Sequence, residues 1–336
     1  MTQEGTHIPV LLEPVVEALA PTDGSVYIDG TYGGGGYSRA VLAVADCVVL
    51  GVDRDPDAMQ RAWDHAGKDP RLKPAPGRFG ELDLAARAAG YEYVDGVMLD
   101  LGVSSYQIDQ AERGFSFMRD GPLDMRMEQR GPSAADAVNL MSEKDLAAIF
   151  HFYGEEPASR RIAKQIVKRR DEEKFTQTLD LANLIEASVG GRRGKKTHPA
   201  TRVFQALRLY VNDELGELVR ALVASEEVIK SGGRLVVVTF HSLEDRIVKT
   251  FLRERGGAMG GGSRHAPEVK AKNAPTFELV ARKAIDPTDD EVSANPRSRS
   301  SKLRWAIRTD APAWGEHSGL NSRIPTLDVL EALLAK

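Results

Sequence analysis

The chain has 336 residues, 42% of them hydrophobic and 28% charged, with a formal net charge of −4. That leaves room for one large domain or two smaller ones of ordinary globular composition. A single cysteine, Cys47, excludes disulfides, and no 18-residue apolar stretch reads as a membrane span, so a cytoplasmic protein without a membrane partner is expected.

In chain order, residues 8–20 read as a lead-in and a short helix. Residues 26–28, Val-Tyr-Ile, are β-branched and aromatic, which predicts a buried strand. The strand ends in Asp29, and a run of glycines then opens onto a helical pattern from Ser38. Glycine lacks a Cβ, so such a loop turns sharply and lets a ligand lie against the backbone. Strand, glycine loop and helix N-terminus together describe a nucleotide-type cofactor site at the carboxyl end of a parallel strand. Two cofactor classes compete for it. A dinucleotide needs G-x-G-x-x-G, and the frame Gly33, Gly35 meets Ser38 where its third glycine belongs. Asp29 would also repel a pyrophosphate, whereas it suits S-adenosylmethionine, which carries an ammonium and a sulfonium. A second strand, residues 48–52, ends in Asp53, 18 residues after Gly35, about the spacing at which an acid meets a ribose diol. Cys47, in the apolar run leading into that strand, reads as core.

Residues 57–66 are a predicted helix, 72–79 hold at most a weak edge strand, and 85–89 are helical. Residues 94–99 form another buried strand, ending in Asp100. This alternation predicts a parallel sheet with helices on both faces. The next convincing strand, residues 234–240, comes too late for a simple crossover. The interval therefore reads as a helical insertion. In it, Ser142 and Asp145 form a capping box, Pro157 stands near the start of a helix running to about residue 171, and Thr178 caps residues 179–189. A long amphipathic helix from about residue 199, with Phe204, Leu207, Val211, Leu215, Leu218 and Leu222 on one side, leads back to the sheet. Beyond residue 240 come a helix over 242–254, a flexible glycine tract over 256–263, two strands at 277–281 and 302–309, and a short apolar tail helix. Seven strands with a hairpin-like last pair fit the Rossmann-like sheet of class I S-adenosylmethionine-dependent methyltransferases. The expected division is an α/β domain of residues 1–106 and 214–336 with an inserted all-α domain of residues 107–213.

Charge is unevenly spread. Residues 158–208 carry 13 Lys/Arg against 5 Asp/Glu, and residues 293–308 carry 5 Lys/Arg and no acid. Such stretches in an acidic chain point to a polyanionic partner or to solvated helix faces. The histidines lack partners at metal-ligand spacing, so no structural zinc is expected and no metal ligands are assigned.

Several long blocks resemble one family. They are His7-Ile-Pro-Val-Leu, Asp29-Gly-Thr-Tyr-Gly-Gly-Gly-Gly, Asp100-Leu-Gly-Val-Ser-Ser-Tyr-Gln, and the run from Glu112 through Asp124-Met-Arg-Met. His198-Pro-Ala-Thr-Arg-Val-Phe-Gln, Phe240-His-Ser-Leu-Glu-Asp-Arg and Asn295-Pro-Arg-Ser-Arg-Ser-Ser-Lys complete the set. Together they resemble the bacterial ribosomal RNA small subunit methyltransferase H (MraW) family from about His7 to Arg308. The resemblance implies methylation of N4 of cytosine 1402 in 16S rRNA, in the small ribosomal subunit, with S-adenosylmethionine as donor. It maps cofactor contacts to Gly35, Gly36, Tyr37, Asp53, Phe79, Asp100 and Gln107, with Asp29 and Gly33 added by the loop itself. Tyr37 and Tyr106 stand where the family has histidine and proline, which predicts an altered contact at Tyr37.

A cytosine amine is a poor nucleophile, so an acceptor near it would help. Asp100 is the candidate, or else a cofactor contact only. His241 is a second catalytic candidate, or merely satisfies a backbone carbonyl. Phe79 walls the adenine or belongs to the core, and Gln107 reaches the cofactor or only opens the insertion. Arg160, Arg161, Lys164, Lys168, Arg169, Arg192, Arg193, Lys195 and Lys196 are candidates to grip phosphates, with Arg297, Arg299, Lys302 and Arg304 as a second group. A methyltransferase acting on another amine, and a non-catalytic RNA-binding protein responsive to S-adenosylmethionine, are the rival functions. A homodimer is left open.

Overall fold

A computed structural model describes residues 9–192, 194, 197–257, 273–315 and 325–335. Arg193, Lys195 and Lys196, and most of the glycine tract, lie outside them. The chain forms two compact units, Met1–Gly102 with Gly216–Gly319, and Val103–Leu215 with Leu320–Lys336.

The first unit opens with α1 (Leu12–Leu19), β1 (Val26–Asp29), α2 (Gly36–Val44), β2 (Val48–Asp53), α3 (Pro56–Ala66), β3 (Leu72–Pro76), α4 (Leu82–Ala88) and β4 (Val94–Asp100). Asp55 caps α3 by accepting from the Asp57 amide, with Pro56 at its first position. β3 is a sheet edge, where the missing amide donors of Pro74 and Pro76 are tolerated.

The second unit carries α5 (Ser105–Asp109), α6 (Ala134–Leu140), α7 (Glu143–Phe152), α8 (Ser159–Arg170), α9 (Thr178–Ser188) and α10 (Thr201–Val211). Ser142 accepts from the Asp145 amide at the start of α7, as its spacing predicts. Thr178 is not a cap. Its hydroxyl faces Asp120 and the Gly121 amide, and Asp120 Oδ1 accepts from the Leu179 amide instead. A carboxylate brought from 59 residues away does what the local hydroxyl was expected to do.

The long helix expected from residue 199 is two helices, α10 and α11 (Glu214–Val228). The break has a specific cause. Asn212 accepts from the Met127 amide at 2.8 Å and donates to the Met125 carbonyl at 2.7 Å, and Asp213 follows at φ 46°. Those long-range bonds outcompete continuation of a regular helix. Asn212→Ala leaves two buried backbone groups unsatisfied and is expected to cost about 3 kcal/mol in denaturant unfolding. Asp213→Gly, which relieves left-handed strain, is expected to be neutral or stabilising.

The first unit resumes at Gly216 within α11 and continues through β5 (Ile229–Thr239), α12 (Ser242–Arg255), β6 (Phe277–Leu279), α13 (Asp289–Ala294) and β7 (Lys302–Arg308). α14 (Leu327–Leu334) belongs to the second unit, not with the sheet as expected. It packs on α6, and the Tyr210 hydroxyl donates to the Thr326 carbonyl at 3.0 Å.

The sheet order is β3-β2-β1-β4-β5-β7-β6, with the first five strands parallel and β7 antiparallel to both neighbours. Strand alternation sends Ile28, Leu50, Val97, Leu99, Leu235 and Val237 to one face, against residues of α4, α11 and α12. Tyr27, Val49, Met98, Val236 and Val238 go to the other, against residues of α1, α2 and α3. Both faces are covered, so these strands read as continuous apolar runs. Each fully buried aliphatic side chain contributes about 1.5–3 kcal/mol. Cys47 is buried in the second of these clusters. No described helix is long and apolar enough to cross a membrane.

Candidate active site

β1, β2, β4 and β5 are parallel neighbours, so their carboxyl ends share one edge of the sheet, where ligands bind in open α/β folds. The glycine loop is stitched across that edge. The Gly30 amide donates to the Met98 carbonyl, the Tyr32 amide to the Val52 carbonyl, and the Asp100 amide to the Thr31 hydroxyl at 2.6 Å. Gly33 and Gly35 lie at φ 52° and 71°, and Gly35 is the cap of α2. A Cβ on Gly35 would stand 2.4 Å from the Tyr32 hydroxyl oxygen, and one on Gly36 2.1 Å from Pro9 Cγ. Side chains there would displace packed rings, so the loop keeps its shape only with glycine. Gly35→Ala adds about 1–2 kcal/mol of left-handed strain to that clash. It is expected to weaken cofactor binding at least tenfold by calorimetry while the sheet's circular dichroism is retained; unchanged affinity would remove the loop from the site.

Three acids terminate the strands. Asp53 accepts from the Gly33 amide at 2.8 Å and the Asp55 amide at 2.9 Å, so it fixes the loop as well as facing the edge. Burial raises its pKa. Asp29 is buried, and accepts from the Ser38 hydroxyl at 2.6 Å and from the Thr31 amide. Burial pushes its pKa up to about 6 despite those bonds. Ser38, which the dinucleotide pattern could not accommodate, is therefore the hydroxyl partner of Asp29.

Asp100 is half-buried, and its Oδ1 is buried without a hydrogen-bond partner. Burial, then the charges of Asp29 and Glu244, drive its pKa well above the usual carboxylate range, with Tyr37 opposing. Neither Asp29 nor Asp100 forms an ion pair with any described residue. Desolvated carboxylates with an orphaned oxygen suit a cationic ligand and disfavour a phosphate. Among the described residues no cluster of acids, histidines and cysteines could hold a metal ion.

Tyr37 packs inward from the loop. Its ring is buried with α1 and α2, and its hydroxyl donates to the Val10 carbonyl, so it does not offer a stacking face. Burial first, then Asp100, raises its pKa strongly, keeping the phenol neutral. His241 is the cap of α12. Its Nδ1 faces the Glu244 amide at 3.5 Å, and Nε2 lies 2.9 Å from Glu244 Oε1. Nδ1 serves the first turn of α12, while Nε2 is buried within ion-pair distance of Glu244 but without a hydrogen-bond partner, so the ring holds that turn and keeps one nitrogen unpartnered. Glu244, which the sequence reading did not single out, is 2% exposed and accepts from the Phe240 amide at 2.8 Å. The signal was available: an acid three residues after a capping position is the reciprocal capping pattern.

Phe79 opens a single 3-10 turn, Phe79–Glu81, packs on the core, and has its Cβ 3.6 Å from the position a Cβ on Gly30 would take. It thus has one side in the core and stands beside the loop. Gln107 lies in the second unit, where its side chain and Ser104 close a capping box on α5. Several predicted phosphate contacts are engaged internally. Arg169 pairs with Asp180 and Glu173, Arg192 with Glu186 at 3.5 Å, Lys302 with Asp286 at 2.6 Å, and Arg304 with Asp245 through two bonds. Arg297 and Arg299 are exposed on a 3-10 turn, Pro296–Ser300.

Residues 4–309 match the MraW methylase family. The chain is 59% identical over 328 residues to the ribosomal RNA small subunit methyltransferase H of Hyphomonas neptunium, covering 98% of this chain and 96% of that one. It is 61% identical over 308 residues to the protein of the same name from Caulobacter vibrioides, covering 92% and 97%. Among solved structures, an rRNA methylase from Streptococcus thermophilus overlaps with a TM-score of 0.38 at 10% identity, over 89% of this chain and 93% of that one.

Proposed function

The chain belongs to the MraW methylase family, and from that premise we propose that it methylates small-subunit ribosomal RNA, at N4 of cytosine 1402 of 16S rRNA. When bound, S-adenosylmethionine supplies an electrophilic methyl group on a positively charged sulfur. The glycine loop, Asp29 and Asp53 hold the donor at the strand ends, with Phe79 beside the loop. Each charge-assisted hydrogen bond donated to these acids contributes about 1.5–3 kcal/mol. The observation that carries the reading is Asp100. It stands at the end of β4 with one buried oxygen unpartnered, in a place where a hydrogen bond from the cytosine amine would strengthen as positive charge develops.

The amine lone pair is delocalised into the ring, so holding the nitrogen in line for transfer supplies much of the acceleration. Asp100 accepts from the amine and takes its proton as the N–C bond forms. His241 and Glu244 keep the β5–α12 turn in place behind it. A stacked cytosine cannot reach this edge and must be extruded, at a cost of a few kcal/mol.

The test is methyl transfer by purified protein from tritiated S-adenosylmethionine to small subunits lacking the modification, followed by nucleoside mass mapping. N4-methylcytidine at position 1402 is expected. Label on another base or on a ribosomal protein would refute the assignment, as would production of no S-adenosylhomocysteine.

A further inference from the structure

α8 has the sequence Ser-Arg-Arg-Ile-Ala-Lys-Gln-Ile-Val-Lys-Arg-Arg. Its buried side is Ser159, Ile162, Ala163 and Ile166. Its exposed side is Arg160, Arg161, Lys164 and Lys168. Residues 160, 164 and 168 fall in one i, i+4 row, so their cations succeed one another by about 6 Å along the axis. Arg161 sits beside that row. The helix contains no acid. None of the four forms an ion pair with a described residue.

The two remaining arginines show what a structural role looks like here. Arg169 binds Asp180 and Glu173, and Arg170 donates to the carbonyls of Val138 and Met141 at 2.8 and 2.7 Å. Those two close the unit. The other four do not, and two of them are placed against the helix's own interest. Arg160 and Arg161 occupy the first turn, where the macrodipole favours anions and penalises cations. Helix stability therefore does not account for them. A partner bringing negative charge does.

Resting on the reading of the protein as an RNA methyltransferase, we propose that the exposed face of α8 is a phosphate-tracking surface that binds the sugar–phosphate backbone of the substrate RNA. Its regular cation spacing fits a backbone with one charge per nucleotide, and its lack of aromatic groups fits contact without base reading. Arg192, Lys302 and Arg304 are held by carboxylates and are weaker candidates for the same task.

The experiment measures binding of a protein-free 16S rRNA fragment containing the target loop over a range of KCl concentrations. It compares the full chain with R160Q/R161Q/K164Q/K168Q. The log–log slope is expected to flatten by about 2–3, at about 0.7 per neutralised phosphate on single strands, with affinity at low salt down at least tenfold. S-adenosylmethionine affinity should not change. K164Q/K168Q should show about half the slope change and keeps the result readable if the fourfold variant folds poorly. A slope and affinity equal to the parent overturn the proposal while leaving the methyltransferase reading intact. A defect seen only with particles containing ribosomal proteins would also overturn it, assigning the face to a protein partner. Failure of the parent to bind the RNA would also overturn it, while methyl transfer to small subunits tests the methyltransferase reading separately.

Discussion

Asp100→Asn is expected to leave the sheet folded and to reduce the rate of methyl transfer by about 10²–10⁴ in single-turnover quench measurements, the range for loss of a positioned acid–base group. The side chain keeps its size, so packing against Tyr37 survives. What disappears is an oxygen that can accept the amine proton. The Asn carbonyl oxygen can still accept a hydrogen bond, but it is not basic enough to take the proton. Near-parental turnover would exclude Asp100 from the chemistry. The pH profile gives a second reading of the same group. Asp100 must be ionised to accept, and burial with Asp29 and Glu244 raises its pKa strongly. Activity should therefore fall away on acidification at a pH well above the ordinary carboxylate range. Glu244→Gln removes one neighbouring charge and should move that limb to lower pH, while Gln retains an oxygen to receive the Phe240 amide. Tyr37, packed inward beside Asp100, and Asp53, at the end of β2, stay in place in both proteins, so neither explains a shift between them.

The parts of this site that the sequence made legible are those that local chain chemistry determines. An apolar run ending in an acid, followed by glycines, located Asp29, Gly33, Gly35 and Asp53, because strand, turn and helix cap have short-range signatures. Asp100 followed from the same alternation. The parts that were not legible depend on distant partners. Nothing near Thr178 announces that Asp120 will cap α9, and nothing near Asn212 announces the Met125 and Met127 backbone that divides α10 from α11. The same limit applied to charge. A count of cations could not separate Arg169, Lys302 and Arg304, which face carboxylates, from Arg160 and Lys164, which face solvent. At Tyr37 the sequence could say only that the contact is altered; that the ring packs inward among α1 and α2 residues, beside the tight approach of Pro9 to Gly36, depends on partners outside the loop.

Asp29→Asn should make the cofactor-free protein more stable at pH 8 and a poorer binder of S-adenosylmethionine. The folded-state pKa of Asp29 is about 6, against 3.8 for the free group. The folded chain thus holds the proton more tightly than the unfolded chain does. Stability linked to this group is fully present below pH 3.8 and is lost as pH rises through about 6. The loss amounts to about 3 kcal/mol. A neutral amide keeps an acceptor for the Ser38 hydroxyl and avoids the desolvated charge, so the melting temperature should rise by several degrees at pH 8 and change little near pH 4. Binding moves the other way. Loss of a charge-assisted contact to the cationic donor should weaken affinity by about 10–100-fold. A melting temperature that fell at pH 8 would show Asp29 to be a structural acid. The opposed signs follow from one arrangement: a charge that the folded chain holds out of water without a cationic partner destabilises the chain alone and becomes favourable when a sulfonium or ammonium lies against it.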